Sequence, residues 1–152
     1  QCFFGMLEFD LYKLTSTVEV ATDYKDIAKI TKLRGACHDG FAVWSGNDDQ
    51  IVPILACGGK GVISVLSNIL PKKTVEICDK FFAGDIAGSA EIQLELIPLI
   101  NALFCEVNPI PAKAATAALG FGENYLRLPL TSMEKDNEEK LLALMREQGL
   151  NV

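Results

Sequence analysis

Cys37 and His38, the latter the only histidine of the chain, are two side chains able to do nucleophilic chemistry, and they stand next to one another. A thiol becomes a useful nucleophile when an imidazole takes its proton. Neighbours on an extended segment project to opposite sides, however, so the two do not activate each other easily and are not read as a catalytic pair. Cys2, Cys57, Cys78 and Cys105 bring the cysteines to five. An odd number, widely spaced and without a C-x-x-C pair, argues against a disulfide framework and against a metal site of cysteines. Cys57 follows Leu55-Ala56 and Cys105 follows Leu103-Phe104. Such apolar company predicts buried, reduced thiols in a reducing, cytoplasmic compartment. No metal or other cofactor is implied.

Composition narrows the partners. With 152 residues, 49% of them apolar, the chain has the length and the material for one core, and one domain is the prior. A formal charge of −6 and the lack of a basic run argue against a nucleic-acid partner. The apolar runs Ile51 to Cys57 and Ile63 to Leu70 fall short of the roughly 18 residues that a bilayer span requires, so no membrane partner is expected. Gln1 to Gly5 lack the basic start and cleavage site of a secretory signal.

The elements that would position a site follow from periodicity and breakers. Phe9 to Leu14 reads as a short helix and Thr17 to Ala21 as a strand. Asp23 is a candidate cap for a helix whose apolar side is Ile27, Ile30 and Leu33, closed by Gly35. Phe41 to Trp44 is apolar on both faces, as in a strand covered on both sides. Ser45-Gly46-Asn47-Asp48 makes a turn into a helix from about Asp49 to Cys57, and Gly61 to Val65 is the next strand. Val18, Phe41 and Val62 as strand markers are 23 and 21 residues apart, the length of a strand, loop, helix and loop. Parallel strands need such crossovers, which leaves a doubly wound sheet or a (β/α) barrel.

Beyond Val65 the pattern predicts helices only. Pro71 to Ala83 would turn Val75, Cys78 and Phe82 inward, and Ile86 to Glu106 would turn Leu96, Leu99, Ile100 and Leu103 inward, with a bend at Pro98. Prolines fix Val107 to Pro109 as turn, and a helix follows over Ile110 to Leu119, in which Pro111 can serve as first helical residue because a missing N–H is harmless there. Thr131 and Glu134, at capping-box spacing, open the last helix, which runs to Gln148 and carries Leu141, Leu142, Leu144 and Met145. Three strands followed by four helices make an unbalanced domain, better read as the closing portion of something larger.

Several motifs then form one constellation: Ser45-Gly46-Asn47-Asp48-Asp49, Gly58 to Val65 with Asn68, Leu70-Pro71-Lys72, Ala83-Gly84-Asp85, Asn108 to Ala115 and Leu126-Arg127-Leu128-Pro129-Leu130. In order and spacing they closely resemble the C-terminal half of dihydrodipicolinate synthase, from about Asp23 to Gly149. The resemblance implies an α/β fold, the C-terminal part of a (β/α)8 barrel with about strands six to eight, plus a C-terminal helical extension. It places a partial barrel at 1–70 and the last barrel helix with the extension at 71–152, as one structural unit. The implied activity is a Schiff-base lyase that condenses pyruvate with aspartate semialdehyde in lysine biosynthesis, in a homo-oligomer. A related sialic acid or sugar-acid aldolase is the alternative branch, and a non-catalytic half-barrel that self-associates or complements an N-terminal half is another.

Carried over position by position, the resemblance puts Ile63 where the backbone lies against bound pyruvate, and Gly46 and Asn47 in the loop beside the substrate. The imine-forming lysine of the family falls at Glu19, in Thr17-Val18-Glu19-Val20-Ala21-Thr22. A carboxylate forms no imine, so the isolated chain is expected to be inactive. Lys13 and Lys25 belong to flanking helices, and Tyr12, Tyr24 and Tyr125 match none of the family's proton-relay motifs. Gly46 and Asn47 could equally be turn formers, and core packing is the commoner fate for a residue like Ile63.

Overall fold

The computed structural model describes residues 19–22, 27–37 and 41–152, the first four as backbone. The chain divides into two compact units that meet between Ile63 and Ser64. The expected helix at Phe9 to Leu14 and the cap at Asp23 lie outside the described residues.

In the first unit, β1 (Glu19–Thr22), β2 (Ala42–Ser45) and β3 (Gly61–Val62) form a parallel sheet in sequence order. The helix α1 (Ile27–Ala36) leads from β1 to β2, and α2 (Ile51–Ala56), preceded by a 3-10 turn at Asp48–Gln50, leads from β2 to β3. These are the crossovers that parallel pairing demands. The register sets Glu19 beside Ala42, Thr22 beside Ser45, and Ser45 beside Val62. Phe41, Val43 and Ser45 are buried, with Leu33 and Cys37 packed on Phe41 and Val43, while Ala42 and Trp44 are half-buried. Burial on β2 thus alternates, where the sequence predicted equal cover of both faces: α1 covers one face, and the other keeps part of its surface open. Gly35 lies inside α1 and does not end it.

The second unit is helical. A 3-10 turn at Leu66–Asn68 precedes α3 (Pro71–Phe82), α4 (Ile86–Leu103), α5 (Ile110–Ala118) and α6 (Lys135–Glu147). The α4 helix packs against α3, α5 and α6. Its Leu96, Leu99, Ile100 and Leu103 are buried as predicted, together with Ile77, Leu141 and Met145 of the neighbouring helices. The face of α3 differs from expectation. Val75 and Phe82 are exposed and Cys78 is half-buried, whereas Thr74 and Ile77 are buried. Thr74 tolerates burial because its hydroxyl donates to the Leu70 carbonyl at 3.0 Å. Across the α3–α4 contact, the buried Ser89 hydroxyl donates to the Ile77 carbonyl at 2.6 Å. On the rim of the same contact, Lys73 pairs with Glu95 at 2.9 Å.

The α5 helix starts at Ile110 as expected, with Pro111 as its second residue, whereas α4 ends at Leu103, three residues short of the expected Glu106. The α6 helix starts four residues after Thr131, and no box forms. Met133 is buried, and the Glu134 N–H, which a box would have used internally, donates instead to Glu106 Oε1 at 3.1 Å. The Asn137 side-chain amide donates to the same oxygen at 2.8 Å. The α4 helix is also long and apolar enough to cross a membrane by length and composition, contrary to the reading of the apolar runs. Its stripe of Ser89, Gln93, Leu96, Leu99, Ile100 and Leu103 is buried, which makes it the central helix of this unit.

Candidate functional site

The loop that leaves β2 is held by one hydroxyl. Ser45 is fully buried. Its Oγ donates to the Asn47 carbonyl at 2.7 Å and accepts from the Asn47 N–H at 3.2 Å, closing the chain around Gly46. Asn47 is extended, at φ −121° and ψ 125°, and its carbonyl accepts the Gln50 N–H at 3.2 Å, which starts the 3-10 turn. Asp48, also buried, is the first residue of that turn. Only 8% of Asn47 is exposed, and its side-chain amide nitrogen has no acceptor among the described residues.

The end of β3 is tied to the same serine through the backbone. Ile63 N–H donates to the Ser45 carbonyl at 2.7 Å, and Lys60 N–H donates to the Val43 carbonyl at 2.8 Å. Both bonds flank a parallel pairing in one-for-one register, Trp44 beside Gly61 and Ser45 beside Val62, so Ile63 is the first residue past the end of β3. Ile63 is accordingly 60% exposed, which corrects the expectation that it packs in a core.

Two glycines make room for this arrangement. A Cβ on Gly59 would lie 2.7 Å from the Ile54 carbonyl oxygen, and one on Gly61 would lie 2.5 Å from Cζ3 of Trp44. The Trp44 ring therefore rests on β3, and its enclosed indole nitrogen has no acceptor among the described residues. Neither the pin at Ser45 nor the Trp44–Gly61 contact was foreseen. The only advance sign was a glycine-rich run one crossover after a tryptophan.

Gly46, Asn47 and Ile63 are thus brought to the C-terminal ends of two adjoining parallel strands, where barrel enzymes carry their chemistry. Glu19 is not at that level. It pairs with Ala42, at the other end of the described pairing and about 10 Å before Thr22 at the rise of a strand. Of the tyrosines and lysines weighed above, Tyr125 is 70% exposed, and Tyr12, Tyr24, Lys13 and Lys25 lie outside the described residues.

The thiols do not make a second site. Burial holds the Cys37 thiol above its ordinary pKa, with Arg34 opposing, so it stays protonated near neutral pH, and His38 lies outside the described residues. Cys57 and Cys78 are half-buried, and Cys105 is exposed because α4 ends before it. That corrects the expectation of burial for Cys57 and Cys105. Cys2 is outside the described residues. No group of three or more His, Cys, Asp or Glu side chains placed to hold a metal ion occurs among the described residues.

Comparison with known proteins gives this geometry a family. Residues 9–148 match the model of the dihydrodipicolinate synthetase family. The 4-hydroxy-tetrahydrodipicolinate synthase of Alkaliphilus oremlandii is 46% identical over 138 residues, covering 91% of this chain and 48% of that protein. The enzyme of that name from Thermotoga maritima is 43% identical over 141 residues, covering 93% and 48%. Among solved structures, the Thermotoga maritima dihydrodipicolinate synthase superposes with a TM-score of 0.89 at 40% identity, over 97% of this chain and 51% of that one. That from Aquifex aeolicus gives 0.89 at 34% identity, over 95% and 49%. The chain spans about half the length of the relatives it matches, and its three parallel strands with crossover helices are part of their (β/α)8 barrel. On the family match and these identities, the chain belongs to the dihydrodipicolinate synthetase family.

Proposed function

We propose that this chain supplies the C-terminal half, about strands six to eight with the helical extension, of a cytoplasmic, homo-oligomeric enzyme that condenses pyruvate with aspartate semialdehyde in lysine biosynthesis. The observation that carries the reading is the Ser45 carbonyl bonded to Ile63 N–H, which joins the Gly46-Asn47 loop to Ile63 at one strand end. In this reading the Ile63 backbone lies against pyruvate and Gly46 and Asn47 flank the substrate. The unpaired amide of Asn47 supplies a donor on that side.

Imine formation needs an amine that attacks the keto carbon of pyruvate and expels water, after which the imine draws electrons from the adjacent carbon. The resemblance puts that amine at Glu19, which β1 holds about 10 Å before its C-terminal end, and a carboxylate there is not a substitute. The chain is therefore inactive by itself. With pyruvate and borohydride, intact-mass measurement should find no reduced adduct on the wild-type chain. Once an N-terminal half is supplied, Glu19→Lys should gain one adduct, located at residue 19 by peptide mapping. An adduct on any lysine of the wild-type chain would overturn the assignment of Glu19.

A further inference from the structure

Resting on the barrel reading above, we propose that Ser45 is a positioning residue with two separable duties: its carbonyl sets Ile63 against pyruvate, and its hydroxyl sets Asn47 toward the second reactant, aspartate semialdehyde. One fully buried residue at the end of β2 thereby holds both flanks of the site. Its polar contacts are divided between the two segments. The carbonyl accepts the Ile63 N–H at 2.7 Å, while Oγ donates to the Asn47 carbonyl at 2.7 Å and accepts the Asn47 N–H at 3.2 Å. Only a group that is donor and acceptor at once can make that last pair of bonds, and a hydroxyl is one.

The two duties respond differently to substitution. Every residue placed at 45 keeps the carbonyl, so the bond to Ile63 survives any change there. The hydroxyl is lost with the side chain. The Asn47 carbonyl would then still accept the Gln50 N–H at 3.2 Å, but the Asn47 N–H has no other acceptor among the described residues. A buried donor left unpaired is costly, so the loop should turn that N–H toward water. The side chain would turn with it. Asn47 is 8% exposed, and its amide nitrogen, unpaired among the described residues, is a donor that an oxygen of a bound reactant would complete. Ile63 is assigned to pyruvate, which leaves the donor on the neighbouring strand end for the carboxylate or aldehyde oxygen of the other reactant.

The test takes the Glu19→Lys chain assembled with an N-terminal half, and adds Ser45→Ala or Ser45→Cys. Cysteine fills the place of serine, but its thiol bonds weakly. Both variants should raise KM for aspartate semialdehyde about tenfold, with KM for pyruvate and the yield of borohydride-trapped adduct unchanged. A rise with alanine but not with cysteine would assign the effect to lost volume and overturn the proposal, as would equal losses for both reactants. In the full chain by itself, amide hydrogen exchange followed by NMR should show the Asn47 N–H exchanging about tenfold faster in both variants, and the Ile63 N–H unchanged. An assembly with Ser45 intact that traps no pyruvate would sink the barrel reading. The exchange contrast then decides alone, and an Asn47 N–H that keeps its wild-type rate in either variant overturns the role of the hydroxyl.

Discussion

Gly59 and Gly61 differ in what a methyl group would strike, and that difference predicts an order of damage. At Gly59 the obstacle is the Ile54 carbonyl and side chain; at Gly61 it is the Trp44 ring, and the backbone there also sits at φ 157°, where an L-residue is strained. Overpacking of this kind costs about 1–3 kcal/mol. Gly61→Ala adds backbone strain to overpacking and should cost more than Gly59→Ala, with only the former changing Trp44 emission. Urea unfolding followed by circular dichroism checks the order, and equal costs would mean that the backbone at Gly61 relaxes without strain. At this scale the sequence was informative about identity and poor about geometry. Gly46, Asn47 and Ile63 were legible as motif positions, but the pin at Ser45 was not, because a serine at a strand end carries no signal until the turn that uses both its lone pair and its proton is seen.

Whole elements were easier to locate than to orient. The α4 stripe was read correctly because four large apolar residues repeat at helical spacing. On α3, Val75 and Phe82 drew the face to the wrong side, since the true inward residues include a threonine whose hydroxyl is satisfied within its own helix. The start of α6 failed for a different reason: its carboxylate partner, Glu106, comes from beyond the end of α4, and no local pattern announces it. At the other helix junction the Asp85 carboxylate accepts the Gly88 N–H at 2.9 Å and pairs with Lys80 at 2.9 Å. The bond from Lys80, first, and the Gly88 N–H hold the Asp85 pKa below its ordinary value. A depressed carboxylate pKa contributes stability above its unfolded value that is lost as pH falls through the folded one. Asp85→Asn keeps the cap and removes the charge, so it should lower the thermal midpoint slightly at neutral pH. The difference from wild type should vanish in acid and shrink in high salt, since the pair is exposed. A gap unchanged at low pH would refute the ionic account.

For the molecule as a whole, parallel βα spacing and the order of the motifs made the barrel legible, while the extent of each compact unit was hidden in a short turn. Ser67 N–H bonds the Ser64 hydroxyl at 2.8 Å, and Leu66 and Ile69 bury their side chains, so the helical unit begins before α3. Residues 64–152 expressed alone should fold cooperatively by calorimetry. A version starting at Pro71 loses the buried Leu66 and should be less stable by about 2–5 kcal/mol. Non-cooperative melting of the longer fragment would deny the unit its independence. The reach of Glu106 to Glu134 and Asn137, across 28 and 31 positions, has a consequence for the segment it bridges. Phe121, Tyr125 and Leu128 lie well exposed between α5 and α6, so a protease nick there, or a guest sequence spliced in, would leave the two flanks still fastened through that carboxylate and the buried Leu141 and Met145.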